Sequence, residues 1–170
     1  MLFRQAAGVI DVSPLYKYDV TGPDAAAFLS RVTVRNIRKL KHNRVVYLCW
    51  ADDHGKIIDD GTCTRMGETH YRLTAADPSF HWLMRHADGF DVTIEDTSRT
   101  VAALALQGPT SKSILAQLCD ADLQALGFFG ATKTSFGGVE GHLTRTGYTG
   151  DLGYELWVNA EDAIGLWDRL

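Results

Sequence analysis

The segment from Arg44 to Ala75 constrains the fold more than any other part of this 170-residue sequence. It opens with RVVYLCW (Arg44–Trp50), a β-branched and aromatic run that reads as a buried strand. Asp52-Asp53-His54-Gly55 is a turn signature, and Lys56–Arg65 returns as a second strand. Gly67-Glu68 then turns the chain into a short third strand, Tyr71–Ala75. Three strands joined by tight turns form an antiparallel meander, which a strictly alternating β–α chain with one parallel sheet cannot contain.

Elsewhere, strand and helix signals come in groups. Gly8–Val20 reads as an irregular strand broken at Ser13-Pro14, and Thr21-Gly22-Pro23-Asp24 opens a helix that ends near Arg31. Pro78–His86 places Phe80, Leu83 and Met84 at helical spacing, with Gly89 as its stop. Strands are expected at Phe90–Ile94, Val101–Leu106 and Tyr154–Val158, and a helix after Gly108-Pro109-Thr110. Phe128–Ser135 and Gly141–Arg145 read as a hairpin around Gly137-Gly138. Strands outnumber helices, so the expected class is α+β with mixed or antiparallel sheets and packed helices. The last helix, from Ala160, has apolar Ile164, Leu166 and Trp167 but nothing after it, which predicts that the natural chain continues past Leu170.

Hydrophobic residues make up 45% and charged residues 22%, an ordinary globular mix that excludes disorder as the main state. The net charge of −4 lacks the basic surplus of a general nucleic-acid binder, and no nucleic-acid partner is expected. The charge is uneven: Arg31, Arg35, Arg38, Lys39, Lys41 and Arg44 make a stretch of +6 without an acid, leaving −10 for the remainder. Such a run is either a solvated face or a dock for an anionic ligand or partner. Cys49, Cys63 and Cys119 form no C-x-x-C pair, which argues against a disulfide scaffold or structural zinc and fits a reducing cytoplasm. No apolar run approaches 18 residues, so neither a membrane span nor a membrane partner is expected.

Two stretches could carry chemistry. In Gly55–Gly61 (GKIIDDG), Asp59 and Asp60 project to opposite faces of a strand, Asp59 sharing parity with Ile57 and Asp60 with Ile58. A carboxylate in an apolar layer must be hydrogen-bonded, or its pKa rises. Either state suits proton acceptance or binding of a ligand amine, while an edge-strand or turn role is the plain alternative. In Arg145–Leu156 (RTGYTGDLGYEL), three glycines at three-residue spacing allow a tight loop. That loop opens a strand rather than a helix, so it is not a dinucleotide fingerprint. It presents Tyr148 and then Glu155, with Tyr154, Leu156 and Val158 facing the other way. An acid placed there could accept two bonds from the N–H/NH2 edge of a pteridine or guanine, or simply face solvent beside a turn. Asp52, Asp53, His54 and Asp59 match neither calcium nor zinc spacing, and Ser13, Ser98 and Ser111 lack a nucleophile elbow.

Five stretches in order, GVIDVS (8–13), VTGPDAAAFL (20–29), GKIIDD (55–60), LQGP (106–109) and RTGYTGDLGYEL (145–156), resemble the glycine cleavage T-protein (aminomethyltransferase) family. The resemblance implies a tetrahydrofolate-binding α+β fold of two intertwined subdomains, 1–40 plus 99–170 and 41–98, around a central folate channel. In that family a C-terminal β-barrel follows. It implies transfer of a one-carbon unit from a small-molecule amine or methylated donor to tetrahydrofolate, with a lipoyl carrier protein as a further partner. Carried over by position, Asp59 matches the essential carboxylate near the folate N5/N10 region. Tyr148 and Glu155 match residues that hold the pterin, Glu155 pairing with its amino-pyrimidinone edge, and Tyr47 falls near another folate contact. The chain departs from the pattern where Pro14-Leu15 replaces His-Met, Gly61 replaces Leu, Thr64 replaces an aromatic, and Leu73–Ala76 replaces a run ending in Asn. Members that resemble it also demethylate methylated glycines, a sulfonium propionate and aryl methyl ethers. Two other readings are a non-catalytic folate sensor or scaffold and a metal-dependent hydrolase built on Asp52–Asp60.

Overall fold

The computed structural model describes residues 3–170. In chain order its elements begin β1 (Gly8–Asp11), β2 (Tyr16–Thr21), α1 (Ala25–Val32), β3 (Val45–Ala51), β4 (Ile57–Arg65), β5 (His70–Ala75), α2 (Phe80–Arg85) and β6 (Thr93–Asp96). They continue with β7 (Val101–Gln107), α3 (Ser111–Leu115), β8 (Ala131–Phe136), β9 (Val139–Thr144), β10 (Gly153–Asn159) and α4 (Ala163–Trp167). The class is α+β: two five-stranded sheets, every pair within them antiparallel.

The chain divides into two units, Met1–Pro14 with Arg99–Leu170, and Leu15–Ser98. The first has the strand order β1-β7-β10-β9-β8. Alternation along β10 turns Tyr154, Leu156 and Val158 into a core with Ala102, Leu104 and Leu106 of β7, Leu143, Phe136, and the helix residues Leu115 and Leu166. Glu155 and Trp157 therefore take the opposite face, beside Ala105 and Ala103 of β7.

The second unit has the order β3-β4-β5-β2-β6, with the expected meander at one side of the sheet. Its core gathers Tyr18 and Val20 of β2, Phe28, Leu29 and Val32 of α1, Leu48 and Trp50 of β3, and Tyr71 and Leu73 of β5. Residues 15–40, expected to join the C-terminal segment, belong here instead. β2 pairs with β5 and β6, and α1 buries its apolar stripe against this same sheet. The break at Ser13-Pro14 is thus the boundary between units, not a flaw in one strand. The strand expected at Phe90–Ile94 begins at Thr93, because Phe90 packs edge-on against Phe28, with ring centroids 5.7 Å apart.

On the face of this sheet away from the core, Asp19 of β2 sits across from Arg72 of β5. Arg72 grips it with two bonds, Nε to Oδ1 at 2.7 Å and Nη2 to Oδ2 at 2.9 Å, and His70 Nε2 lies 3.0 Å from Oδ2. Burial alone would raise the Asp19 pKa; the bonds to His70 and Arg72 outweigh it and lower it to about 2. A depressed carboxylate stabilises the fold above its unfolded pKa and loses that contribution as pH falls through the folded one. Thermal melts should therefore drop steeply between about pH 4 and 2, by about 2 kcal/mol from this group. Asp19→Asn should flatten that limb, and an unchanged acid limb would count against the pairing.

Candidate functional site

The glycine loop and the buried amide of Gln107 are built for one another. Gln107, the last residue of β7, donates from Nε2 to the carbonyls of Thr146 (3.2 Å) and Tyr154 (3.4 Å) and accepts from Thr149 Oγ1 at 3.0 Å. A Cβ added at Gly147 or Gly153 would lie 2.1 or 2.0 Å from Gln107 Oε1, so both positions must be glycine for the amide to fit. Two motifs separated by some forty residues, LQGP and RTGYTGDLGYEL, thus form one clamped loop. Beside it lies a hollow of about 290 Å³, lined by Phe128, Arg145, Thr146, Gly147, Asp151 and neighbouring loop backbone.

The clamp fixes Glu155 at the start of β10. Thr146 Oγ1 donates to its Oε2 at 2.5 Å, and Thr144 Oγ1 lies 3.4 Å from the same oxygen. Thr144 and Thr146 are 2.6 Å apart, and Trp157 Nε1 donates to Thr144 Oγ1 at 3.1 Å. An indole N–H only donates and each hydroxyl has one proton. With the carboxylate ionised, the protons therefore run one way: Trp157 to Thr144, Thr144 to Thr146, Thr146 to Oε2. Among the described residues none donates to Oε1. Burial pushes the Glu155 pKa up, and the Thr146 hydroxyl, backed by Thr144, pulls it partly back. Tyr148, expected beside it, is 79% exposed at the loop tip.

In the second unit, the register of β3 on β4 sorts the predicted residues onto two faces. Trp50 pairs with Asp59, Cys49 with Asp60, and Tyr47 with Thr62. Asp59 therefore shares the core side with Trp50, whereas Tyr47 and Asp60 share the other side as diagonal neighbours. Tyr47 Oη donates to Asp60 Oδ2 at 2.6 Å, and that bond raises the Tyr47 pKa. Both residues are exposed.

Asp59 is only 6% exposed and is held by backbone. Its Oδ1 accepts from Asp60 N at 2.7 Å, and its Oδ2 from Ala76 N and Asp77 N, each at 2.9 Å. The β4–β5 ladder pairs only Cys63–Arg65 with Tyr71–Leu73. Beyond it, side chains replace ladder bonds: Thr74 Oγ1 accepts from Thr62 N at 2.8 Å, and Asp59 catches the next two amides. Gly61 permits this approach, since a Cβ there would meet Thr74 O at 1.9 Å. Asp59, the carboxylate expected to work beside the reactive nitrogens, is thus bound by three backbone amides, whereas Asp60 is exposed. Asp52 is likewise occupied, its Oδ1 accepting from His54 N and Lys56 N in the turn. Among the described residues no group of three or more His, Cys, Asp or Glu side chains is placed to hold a metal ion.

The GCVT N-terminal domain family matches residues 1–170. The chain belongs to this family. An aminomethyltransferase of Herpetosiphon aurantiacus is 38% identical over 98% of this chain and 47% of its own length. One from Streptomyces coelicolor is 39% identical over 98% of this chain and 46% of its own. The crystal structure of glycine cleavage system aminomethyltransferase T from Bartonella henselae superposes with a TM-score of 0.86 at 28% identity, covering 96% of this chain and 45% of that one. A heterotetrameric sarcosine oxidase from Corynebacterium has the same fold, with a TM-score of 0.74 at 20% identity, covering 98% of this chain and 84% of that one. The chain spans just under half the length of the curated relatives it matches. Among the described residues no helix is long and apolar enough to cross a membrane.

Sequence reasoning passed over Gln107, Thr144, Thr146 and Trp157, and it named Asp59 without Asp60. Gln107 was within reach, because it lies inside a stretch already matched to the family. Thr146 was too, inside RTGYTGDLGYEL, but its link to Thr144 and Trp157 was not, because that link joins two strands and a loop through side chains of unremarked type.

Proposed function

We propose that this GCVT-domain chain belongs to a tetrahydrofolate-dependent one-carbon transferase of the aminomethyltransferase type. The donor would be a small amine or methylated compound, with a lipoyl carrier protein as partner and the cytoplasm as location. The observation that carries the reading is Glu155: a half-buried acid with Oε2 taken by protein hydroxyls and Oε1 unbonded among the described residues. A half-buried carboxylate acceptor fits adjacent N–H donors, the pattern of a 2-amino-pyrimidinone edge. Tetrahydrofolate supplies the nucleophilic nitrogen that receives the one-carbon unit.

Glu155 orients the ligand and Tyr148 closes over it from the loop tip. The family resemblance of GKIIDD assigns the carboxylate for the reacting nitrogen to this Asp pair, and of the two Asp60, oriented by Tyr47, is the one left exposed to hold that negative charge. As the new C–N bond forms, the bond from carbon to the donor's heteroatom breaks and its electron pair leaves with that atom. The proton given up by the attacking nitrogen passes to the Asp60 carboxylate. Asp59 keeps the strand and the Ala76-Asp77 backbone in place.

Titration of the full-length protein with tetrahydrofolate, followed by a donor screen for methyl- or methylene-tetrahydrofolate, tests this. Binding with turnover on one donor class is expected. Binding without turnover on any donor would favour a folate sensor, and no binding would end the proposal.

A further inference from the structure

The basic stretch between α1 and β3 has no part in the chemistry above. Arg31, Arg35, Arg38, Lys39, Lys41 and Arg44 are all exposed, and among the described residues none is in an ion pair. The segment is nonetheless tied down at several points. Ile37 is buried in the core, and Ser30 Oγ accepts from Ile37 N (2.8 Å) and Arg38 N (3.3 Å). Arg65 Nη1 donates to Leu40 O at 2.9 Å, Val34 N to Cys49 O at 3.0 Å, and Asn43 N to Arg65 O at 3.0 Å. A loop ordered in this way loses little entropy when something binds.

Within it is a hollow of about 310 Å³ whose floor is aliphatic, from Ile37, Leu40 and Val46, and whose rim is Arg35, Asn36 and Lys39. A purely electrostatic anion site has no use for an apolar floor, and the lining of the hollow has no aromatic side chain on which a base could stack. We infer that this surface docks an acidic protein segment, one that sets an apolar side chain into the hollow between flanking carboxylates.

The test uses the full-length protein and a fluorescein-labelled 12-residue peptide of Glu with one central Leu, read by anisotropy in low salt. Saturable binding is expected, weakening about tenfold between 50 and 200 mM salt. The double variant Arg35→Glu/Lys39→Glu should weaken it at least about tenfold, with an unchanged melting temperature. A control reversal at Arg99, in the other unit, should leave it unaltered. Replacing the central Leu by Ser should weaken it about threefold to tenfold, the value of one small apolar contact. The inference is overturned if a Gln-for-Glu peptide binds equally, or if the double variant binds as before. It is equally overturned if the Leu-to-Ser peptide loses nothing, or if γ-linked triglutamate or a single-stranded oligonucleotide binds more tightly than the peptide.

Discussion

Asp60→Asn should cost the full-length protein about 10²–10⁴ in turnover, the range for loss of a proton-accepting group, while tetrahydrofolate affinity stays within about threefold. The Asn side chain keeps the size and can still accept from Tyr47 Oη, now 2.6 Å from Asp60 Oδ2, so the hairpin should persist. Only the negative charge and the proton-accepting capacity go. Asp59→Asn should behave in the opposite way. Its three bonds come from backbone N–H groups, and an amide nitrogen in place of either oxygen would face a donor with a donor. That substitution should lower stability by about 1–3 kcal/mol, with turnover falling only as far as the Ala76-Asp77 backbone shifts. Paired melts and single-turnover rates on both variants decide the matter. A silent Asp60→Asn beside a stably folded but inactive Asp59→Asn would return the catalytic role to Asp59.

This pair also marks the limit of what the sequence could disclose. The β3–β4–β5 meander was legible because it rests on local information, β-branched runs and turn residues within thirty positions. The parity of Asp59 and Asp60 was legible too, but not which of them meets the core. The neighbours used as a guide, Ile57 and Ile58, are both exposed, and the register slips between Trp50 and Ala51, so parity before the slip says nothing of parity after it. The unit boundary at Pro14 was hidden for a related reason. Whether β2 pairs with β5 or with a distant strand is a long-range choice that no local pattern records. Glu155 was found because its strand alternates cleanly from Tyr154 to Val158. What holds its carboxylate was legible only in part: Thr146 lies in the matched stretch, but Thr144, and Trp157 that donates to it, stand at positions that carry no motif of their own.

The second large effect is expected at Glu155. Glu155→Gln should weaken tetrahydrofolate binding by about 10² or more, because a charge-assisted acceptor is replaced by an amide that turns a donor toward either Thr146 or the ligand. The pH dependence tests the mechanism more sharply than the loss itself. Binding an N–H edge needs the ionised acid, and burial sets the Glu155 pKa above its ordinary value. Affinity should therefore fall as pH drops through that raised pKa. Its cross-strand neighbours are Ala105 on β7 and Thr144 on β9, neither of them charged, so the hydroxyls are what offset burial. Thr146→Val removes the donor at 2.5 Å and should move the affinity–pH curve to higher pH, and Thr146→Ser should return it. The stability curve must move with it: a buried acid whose folded pKa is raised makes the fold less stable as pH rises between its unfolded and folded values, and Thr146→Val widens that interval. If Thr146→Val weakens binding equally at every pH, the threonine only shapes the loop, and the directed chain of protons from Trp157 to Glu155 has no bearing on ionisation.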